Sequence, residues 1–250
     1  MLVDSHAHIT KENYENIEEI LNEANKNGIN KIINAGDNLD SSKEVISLSK
    51  QYDNVLFCAV GIHPEYADSI KEKDLIEIEN LIKNNKVIAV GEIGLDYYYG
   101  KENKLKQIEL FEKELSLAVK YHLPVVVHSR SAVEDTINTL KKYKLKGVIH
   151  CFNGSTEIAK GYIKLGYKLG IGGLLTFKNC KLIEVLKEKG IENIVLETDS
   201  PYLTPEPFRK YKNEPKYIKN IAEFLSKELG IEIEKLEYIT NKNISEIFDI

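Results

Sequence analysis

Two histidines separated by one residue lie near the start of the chain, in Asp4-Ser5-His6-Ala7-His8. Residues two apart on an extended strand point to the same face. The side chains of His6 and His8 can therefore converge on one point where a first strand ends. Neutral imidazole is the commonest metal ligand at physiological pH. The pair predicts part of a metal site whose remaining ligands come from later in the chain.

Further histidines and carboxylates follow the carboxyl ends of later apolar runs. They are His63, Glu92, His128, His150 and Asp199. Four of these five imidazoles, together with the two carboxylates, can hold two divalent cations, with one carboxylate bridging them. Two-metal sites suit in-line phosphoryl displacement, because one ion activates water and the other stabilises the leaving oxygen. Mixed nitrogen and oxygen ligands suit zinc or manganese, and magnesium where substrate and water add oxygens. We therefore expect two divalent ions, Mg²⁺, Mn²⁺ or Zn²⁺.

Short runs rich in valine and isoleucine alternate with segments of helical period along the whole chain. The predicted strands are 2–8, 31–35, 55–62, 87–91, 124–128, 147–151, 167–171 and 194–197, and the clearest predicted helices are 16–26 and 105–121. This alternation predicts an α/β fold, a single (β/α)8 TIM barrel over residues 1–250 that the helical tail, 215–229 and 233–250, closes. An open, doubly wound sheet is the alternative that strand count leaves open. In a barrel, the strands' carboxyl ends share one rim, where active sites are built.

The composition narrows the class of protein. A chain of 250 residues with 42% hydrophobic and 29% charged residues can bury one large core. Its net charge of −5 argues against broad coating of nucleic acid, although a nuclease with local cations stays possible. Three scattered cysteines without a C-x-x-C predict no disulfide framework and a cytoplasmic location. No apolar run approaches the roughly 20 residues that span a bilayer, so we expect no membrane partner. A monomer is the expected state.

Six ordered segments resemble the signature blocks of the TatD family of metal-dependent deoxyribonucleases. They are His6-Ala7-His8, Gly61-Ile62-His63-Pro64, Gly91-Glu92-Ile93-Gly94-Leu95-Asp96-Tyr97, His128-Ser129-Arg130, His150-Cys151-Phe152 and Glu197-Thr198-Asp199-Ser200-Pro201-Tyr202. The resemblance implies a TIM barrel of the amidohydrolase-like type. It also implies magnesium-supported hydrolysis of DNA, in several members as a 3′-to-5′ exonuclease.

The resemblance also implies a role for each matching residue. The first ion would be held by His6, His8 and Asp199, the second by His128 and His150, and Glu92 would bridge both. The catalytic residues would be Glu92 and Asp199, the latter orienting or deprotonating the attacking water. His63 would lie near the substrate phosphate.

Two arginines are candidate contacts to the phosphates of a DNA substrate. Arg130 follows the predicted ligand His128 by two residues and can reach the same rim. Arg209 resembles a basic residue of the family, but the family's Arg-Gly-Lys-Arg-Asn-Glu-Pro reads Arg-Lys-Tyr-Lys-Asn-Glu-Pro here. The three tyrosines of the segment 97–99 either stack on the bases of single-stranded DNA or pack in the loop, and both interpretations stay open.

Two other functions remain as alternatives. Related barrels cleave small amides, lactones or phosphotriesters, often with a carboxylated lysine as the bridge on strand four. Here that strand offers Glu92, and its only lysine, Lys86, lies at the wrong end. This disfavours a small-molecule amidohydrolase or phosphoesterase without excluding it. A non-catalytic metal-binding protein is the third hypothesis. No G-x-S-x-G, Walker or G-x-G-x-x-G motif is present.

Overall fold

A computed structural model describes all residues, 1–250, and contains eight parallel strands that are hydrogen-bonded in chain order. The strands are β1 (Leu2–Ala7), β2 (Ile29–Ala35), β3 (Leu56–Val60), β4 (Val87–Asp96), β5 (Val125–Arg130), β6 (Gly147–Ile149), β7 (Tyr167–Ile171) and β8 (Ile194–Leu196). A bridge between Ala7 and Ser200 joins the first strand to the segment after the last. The sheet is thus a nearly closed barrel, as predicted, and the open doubly wound alternative is wrong.

Nine α-helices follow or flank the strands on the outside. They are α1 (Ile17–Lys26), α2 (Leu39–Gln51), α3 (Glu72–Asn84), α4 (Lys104–Tyr121), α5 (Val133–Leu140), α6 (Thr156–Lys164), α7 (Leu182–Lys189), α8 (Ile218–Leu229) and α9 (Ile233–Phe248). The first illustrates why these segments are helical. The side chain of Asn16 caps it by accepting from the backbone N–H of Glu19, and Ile17, Leu21 and Ala24 form its buried stripe. No helix is both long and apolar enough to cross a membrane.

The apolar core has two layers. The larger one lies between the strands and the surrounding helices, and the smaller one fills the barrel. The inner layer includes Val126 of β5 and Val148 of β6, and it contacts Ile244 and Phe248 of α9. Side chains alternate between faces along a strand. His128 and His150, each two positions after one of these valines, therefore point inwards as well and lie directly above this apolar layer.

The fourth strand corrects one sequence prediction. We expected it to end at Gly91 with Glu92 just beyond, but β4 continues to Asp96. Its pairing with β5 shifts register between Val90 and Ile93 and then resumes. Gly94 makes the continuation possible, because it has φ of +144° and a Cβ there would lie 2.0 Å from the carbonyl oxygen of His128. Gly94, three residues beyond the predicted end of the strand, is thus a point of close backbone approach.

The third, sixth and eighth strands are shorter than predicted. They end at Val60, Ile149 and Leu196. The side chains of His63, His150 and Asp199 consequently project from the turns that follow these strands. They remain on the same rim of the barrel as the ends of β1 and β5.

Candidate metal centre

The carboxylate of Glu92 lies at the centre of the rim, with a pair of histidines facing each of its oxygens. Oε1 is 2.8 Å from Nδ1 of His128 and 2.8 Å from Nε2 of His150. Oε2 is 3.3 Å from Nε2 of His6 and 3.2 Å from Nε2 of His8. Glu92 is only 4% exposed. One buried carboxylate therefore joins ligand candidates from β1 to those of β5 and the turn after β6.

Two more of the predicted residues complete the cluster. Oδ1 of Asp199 lies 3.8 Å from Nε2 of His6 and 3.7 Å from Nε2 of His8. The backbone N–H of Asp199 donates to the carbonyl of His6 at 3.0 Å, which fixes the turn after β8 against β1. On the other side, Nε2 of His63 lies 3.8 Å from Oε1 of Glu92. The structure thus brings together the six predicted ligands and His63.

Hydrogen bonds on their outer sides orient two of the histidines. Nδ1 of His8 donates to the carbonyl oxygen of Ala35 at 3.0 Å, which directs its Nε2 towards Glu92. Nε2 of His128 donates to Oδ2 of Asp96 at 3.1 Å, and its Nδ1 faces Glu92. Such outer partners fix the tautomer and the ring orientation of metal-binding histidines. Asp96 belongs to one of the family-like motifs but has no role in the sequence prediction, in which the fourth strand ends five residues before it.

A second carboxylate without an assigned role lies beneath His150. Glu197 is fully buried, its Oε1 accepts the backbone N–H of Cys151 at 2.5 Å, and the same oxygen is 3.6 Å from Nδ1 of His150. The sequence placed Glu197 at the end of β8 but offered no signal that its side chain reaches the turn after β6.

Burial and mutual contact shift the pKa values of this cluster in opposite directions. Burial lowers the pKa of His6 to about 3. Burial alone would do the same to His8, but its hydrogen bond to Glu92 and the charge of that carboxylate raise its pKa to about 9. The pKa of Glu92 is held well below its usual range: burial alone would raise it, but the charge of His150 and the hydrogen bonds from His128, His150 and His6 together outweigh that effect. Burial raises the pKa of Asp199 to about 6. Protons shared with the histidines thus compensate the negative charge of the buried Glu92 carboxylate.

The donor set fits divalent cations. Nε2 of His6 lies 3.0 Å from Nε2 of His8, and Nδ1 of His128 lies 3.3 Å from Nε2 of His150. Ligands on one ion are separated by about 3.0 Å in octahedral magnesium geometry and by about 3.3 Å in tetrahedral zinc geometry. Both spacings occur here. Cation binding would displace the shared protons, as metal binding to histidine generally does.

A cleft of about 680 Å³ opens above the cluster and contains Arg130 as its only arginine or lysine. The guanidinium carbon of Arg130 lies 3.7 Å from the centre of the Tyr98 ring. Its Nη1 is 3.9 Å from Oδ2 of Asp96. The volume is within the roughly 300–1,000 Å³ of pockets that enclose small ligands.

Arg209 lies apart from the residues that line the cleft. It does not line the cleft; its Nη1 donates to the carbonyl of Thr204 at 3.2 Å, and its guanidinium lies 4.0 Å from the centre of the Phe177 ring. Of the three substrate contacts suggested by the sequence, the structure places His63 and Arg130 in the cleft and leaves Arg209 outside it.

Comparison with known proteins extends the likeness to the whole chain. The family described as TatD related DNase matches residues 3–249. YabD of Bacillus subtilis, named an uncharacterized metal-dependent hydrolase, is 37% identical over 100% of both chains. The crystal structure of YJJV, a TatD homologue from Escherichia coli, superposes with a TM-score of 0.93 at 27% identity, covering 100% of this chain and 98% of that one. A TatD family hydrolase from Entamoeba histolytica gives a TM-score of 0.88 at 27% identity, covering 99% and 97%. The chain belongs to the TatD family of metal-dependent hydrolases.

Proposed function

We propose that the protein is a deoxyribonuclease that hydrolyses phosphodiester bonds with two divalent cations, removing nucleotides from the 3′ end. The observation that carries the proposal is the position of Glu92, whose two oxygens each face a separate pair of imidazoles. A carboxylate in this position can bridge two ions. Paired ions suit in-line displacement at phosphorus, in which both the attacking and the leaving oxygen carry charge.

The ligands divide into two groups that share the bridge. His6, His8 and Asp199 would hold one ion, and His128 and His150 the other, with an oxygen of Glu92 on each. When bound, the ions would polarise the phosphate and lower the pKa of a water molecule. The ligand spacing fits Mg²⁺, Mn²⁺ and Zn²⁺ alike, so activity is measured with each of them.

The side chains of this site would then perform three tasks. A carboxylate oxygen of Asp199 would orient the attacking water and accept its proton. His63, at the edge of the cluster, would contact a non-bridging oxygen of the scissile phosphate. Arg130, which is half-exposed beside the cleft, would neutralise charge on the phosphate as the bond to the leaving sugar oxygen breaks.

The proposal is tested with purified protein and a 5′-labelled single-stranded oligonucleotide in Mg²⁺, Mn²⁺ or Zn²⁺. The expected product is a ladder that shortens from the 3′ end. Glu92→Ala and Asp199→Ala should each abolish it while leaving the circular dichroism spectrum unchanged. Glu234→Ala, which removes an exposed carboxylate from α9, is the control and should retain full activity.

A substrate panel separates the alternatives. RNA, a small phosphoester, an amide and an ester are incubated with the same metals. Hydrolysis of an amide or a small ester without cleavage of DNA would replace the proposal with a small-molecule hydrolase. Retained cleavage of DNA by either pure variant would show that the centre described above does not perform the reaction.

A further inference from the structure

Two exposed tyrosines stand side by side where the chain leaves β4. Tyr98 is 58% exposed and Tyr99 is 89% exposed, whereas the preceding Tyr97 is buried. The rings of Tyr98 and Tyr99 meet edge to face, with centres 4.9 Å apart. Tyr99 also lines the cleft above the metal centre. Packing explains Tyr97, but it does not explain two large aromatic rings facing solvent at the mouth of the cleft.

The guanidinium of Arg130 joins these rings into one surface, which we call the aromatic ledge (Tyr98, Tyr99 and Arg130). Its central carbon lies 3.7 Å from the centre of the Tyr98 ring and 5.7 Å from that of Tyr99. Planar guanidinium groups stack on aromatic faces and on bases alike. The ledge therefore combines two π faces with one positive charge, the pair of features that binds single-stranded nucleic acid.

The aromatic ledge is fixed to the metal centre through Asp96. Oδ1 of Asp96 accepts the backbone N–H of Tyr98 at 2.8 Å, and Oδ2 accepts from Nε2 of His128 at 3.1 Å. The backbone of Asp96 is itself clamped by the side chain of Gln107, which accepts from its N–H at 2.9 Å and donates to its carbonyl at 2.8 Å. One carboxylate thus sets the position of both a predicted metal ligand and the ledge.

The opposite side of the cleft has no lysine or arginine in its lining. A second cavity of about 670 Å³ adjoins the first there and shares His8, Asp37, Glu65 and Tyr202 with it. Its lining contains six carboxylates and no lysine or arginine; the acids are Glu12, Asp37, Asp40, Glu44, Glu65 and Asp74. Carboxylates line both cavities, but Arg130 is the only lysine or arginine in either lining. The ledge is therefore the side of the cleft that offers a positive charge to an incoming phosphate.

We propose that the aromatic ledge binds a nucleobase flanking the scissile phosphate, with Tyr98 and Tyr99 supplying the stacking contact. The proposal rests on the proposed phosphodiester hydrolysis. Bases in a duplex are already stacked on their neighbours, so a ledge of this kind selects unpaired ends. Because every base has a π face, the expected preference is for strand form and not for sequence.

The test compares two single strands that carry the same phosphates, oligothymidylate and an abasic strand of equal length. The double variant Tyr98→Ala/Tyr99→Ala should lose about 5- to 100-fold in kcat/KM on oligothymidylate, the loss that base stacking on aromatic side chains typically represents. It should be unchanged on the abasic strand, which the unaltered protein should cleave correspondingly more slowly. Tyr238→Ala, an equally exposed tyrosine on α9, is the matched control and should behave like the unaltered protein on both strands.

Equal losses on the two strands, or no loss on oligothymidylate, would overturn the ledge. Fluorescence anisotropy of labelled strands in EDTA, where no cleavage occurs, tests base binding by the aromatic ledge separately from the proposed hydrolysis. Tighter binding of oligothymidylate than of the abasic strand, abolished in the double variant, supports the ledge even if no strand is hydrolysed when metal is added. Equal binding of the two strands by the unaltered protein would contradict it.

Discussion

A buried carboxyl group on α4 provides a prediction that is independent of catalysis. Glu114 is 1% exposed, and burial raises its pKa well above the usual 4.5. Its Oε1 accepts the backbone N–H of Ile62 at 2.7 Å, and its Oε2 has no hydrogen-bond partner in the protein. The bond holds the segment just before His63. An ionised carboxylate that is buried without a cationic partner costs free energy, so the folded protein should carry Glu114 in its protonated form.

The consequence for stability has a definite sign. Because the pKa of Glu114 is raised in the folded state, that state keeps a proton that the unfolded chain loses above pH 4.5. The contribution of Glu114 to the free energy of unfolding is therefore complete below that pH and falls as the pH rises towards the folded-state value. The fall approaches about 1.4 kcal/mol for each pH unit. Glu114→Gln keeps an oxygen for Ile62 and has no proton to lose.

Urea unfolding at pH 5, 6, 7 and 8 in EDTA measures this effect. The stability of Glu114→Gln relative to the unaltered protein should increase steadily with pH, and all other groups cancel in the difference. Glu109→Gln, on the exposed face of the same helix, is the control and should give a difference that stays flat. Glu114→Ala should be about 1–3 kcal/mol less stable than Glu114→Gln at every pH, because it leaves the N–H of Ile62 unpaired. A flat difference for Glu114→Gln as well would refute the reasoning.

Two further substitutions test how β4 positions the site. Asp96→Asn weakens the acceptor that orients His128, so the affinity for a divalent cation should fall by about 10- to 100-fold in calorimetric titration; an unchanged affinity would mean that the contact is incidental. Gly94→Ala should destabilise the fold by more than about 1 kcal/mol in urea, because its Cβ would collide with the His128 carbonyl as well as adopt a positive φ. Gly166 has φ of +91° but nothing within 4 Å of a Cβ built there, so Gly166→Ala isolates the effect of the positive φ and should be less destabilising.

The alternation of side chains along a strand predicted that His6 and His8 converge, and it also explains where two other histidines lie. His128 and His150 follow the interior residues Val126 and Val148 by two positions, and this spacing carries them to the top of the barrel. The shared rim of parallel strands predicted the position of Asp199, because it brings this residue beside His6 although nothing in the local sequence indicates the contact.

The parts that sequence reasoning missed depend on pairing register and on packing between distant elements. Asp96 reaches His128 only because β4 resumes its pairing with β5 after a register shift, and a glycine-containing segment gives no sign of that. Glu114 looks like one more acid on a charged helix until α4 packs against the turn after β3. The resumed pairing of β4 with β5 also explains why Arg130 contacts Tyr98, because it places Asp96 opposite Arg130.

The most direct test of the central idea is a crystal structure with Mn²⁺, in which anomalous scattering locates each ion. The arrangement around Glu92 predicts two peaks, each about 2.0–2.2 Å from a different oxygen of that carboxylate. His6 and His8 should lie on one peak, and His128 and His150 on the other. A single peak, or two peaks that both lack contact with Glu92, would contradict the bridged centre.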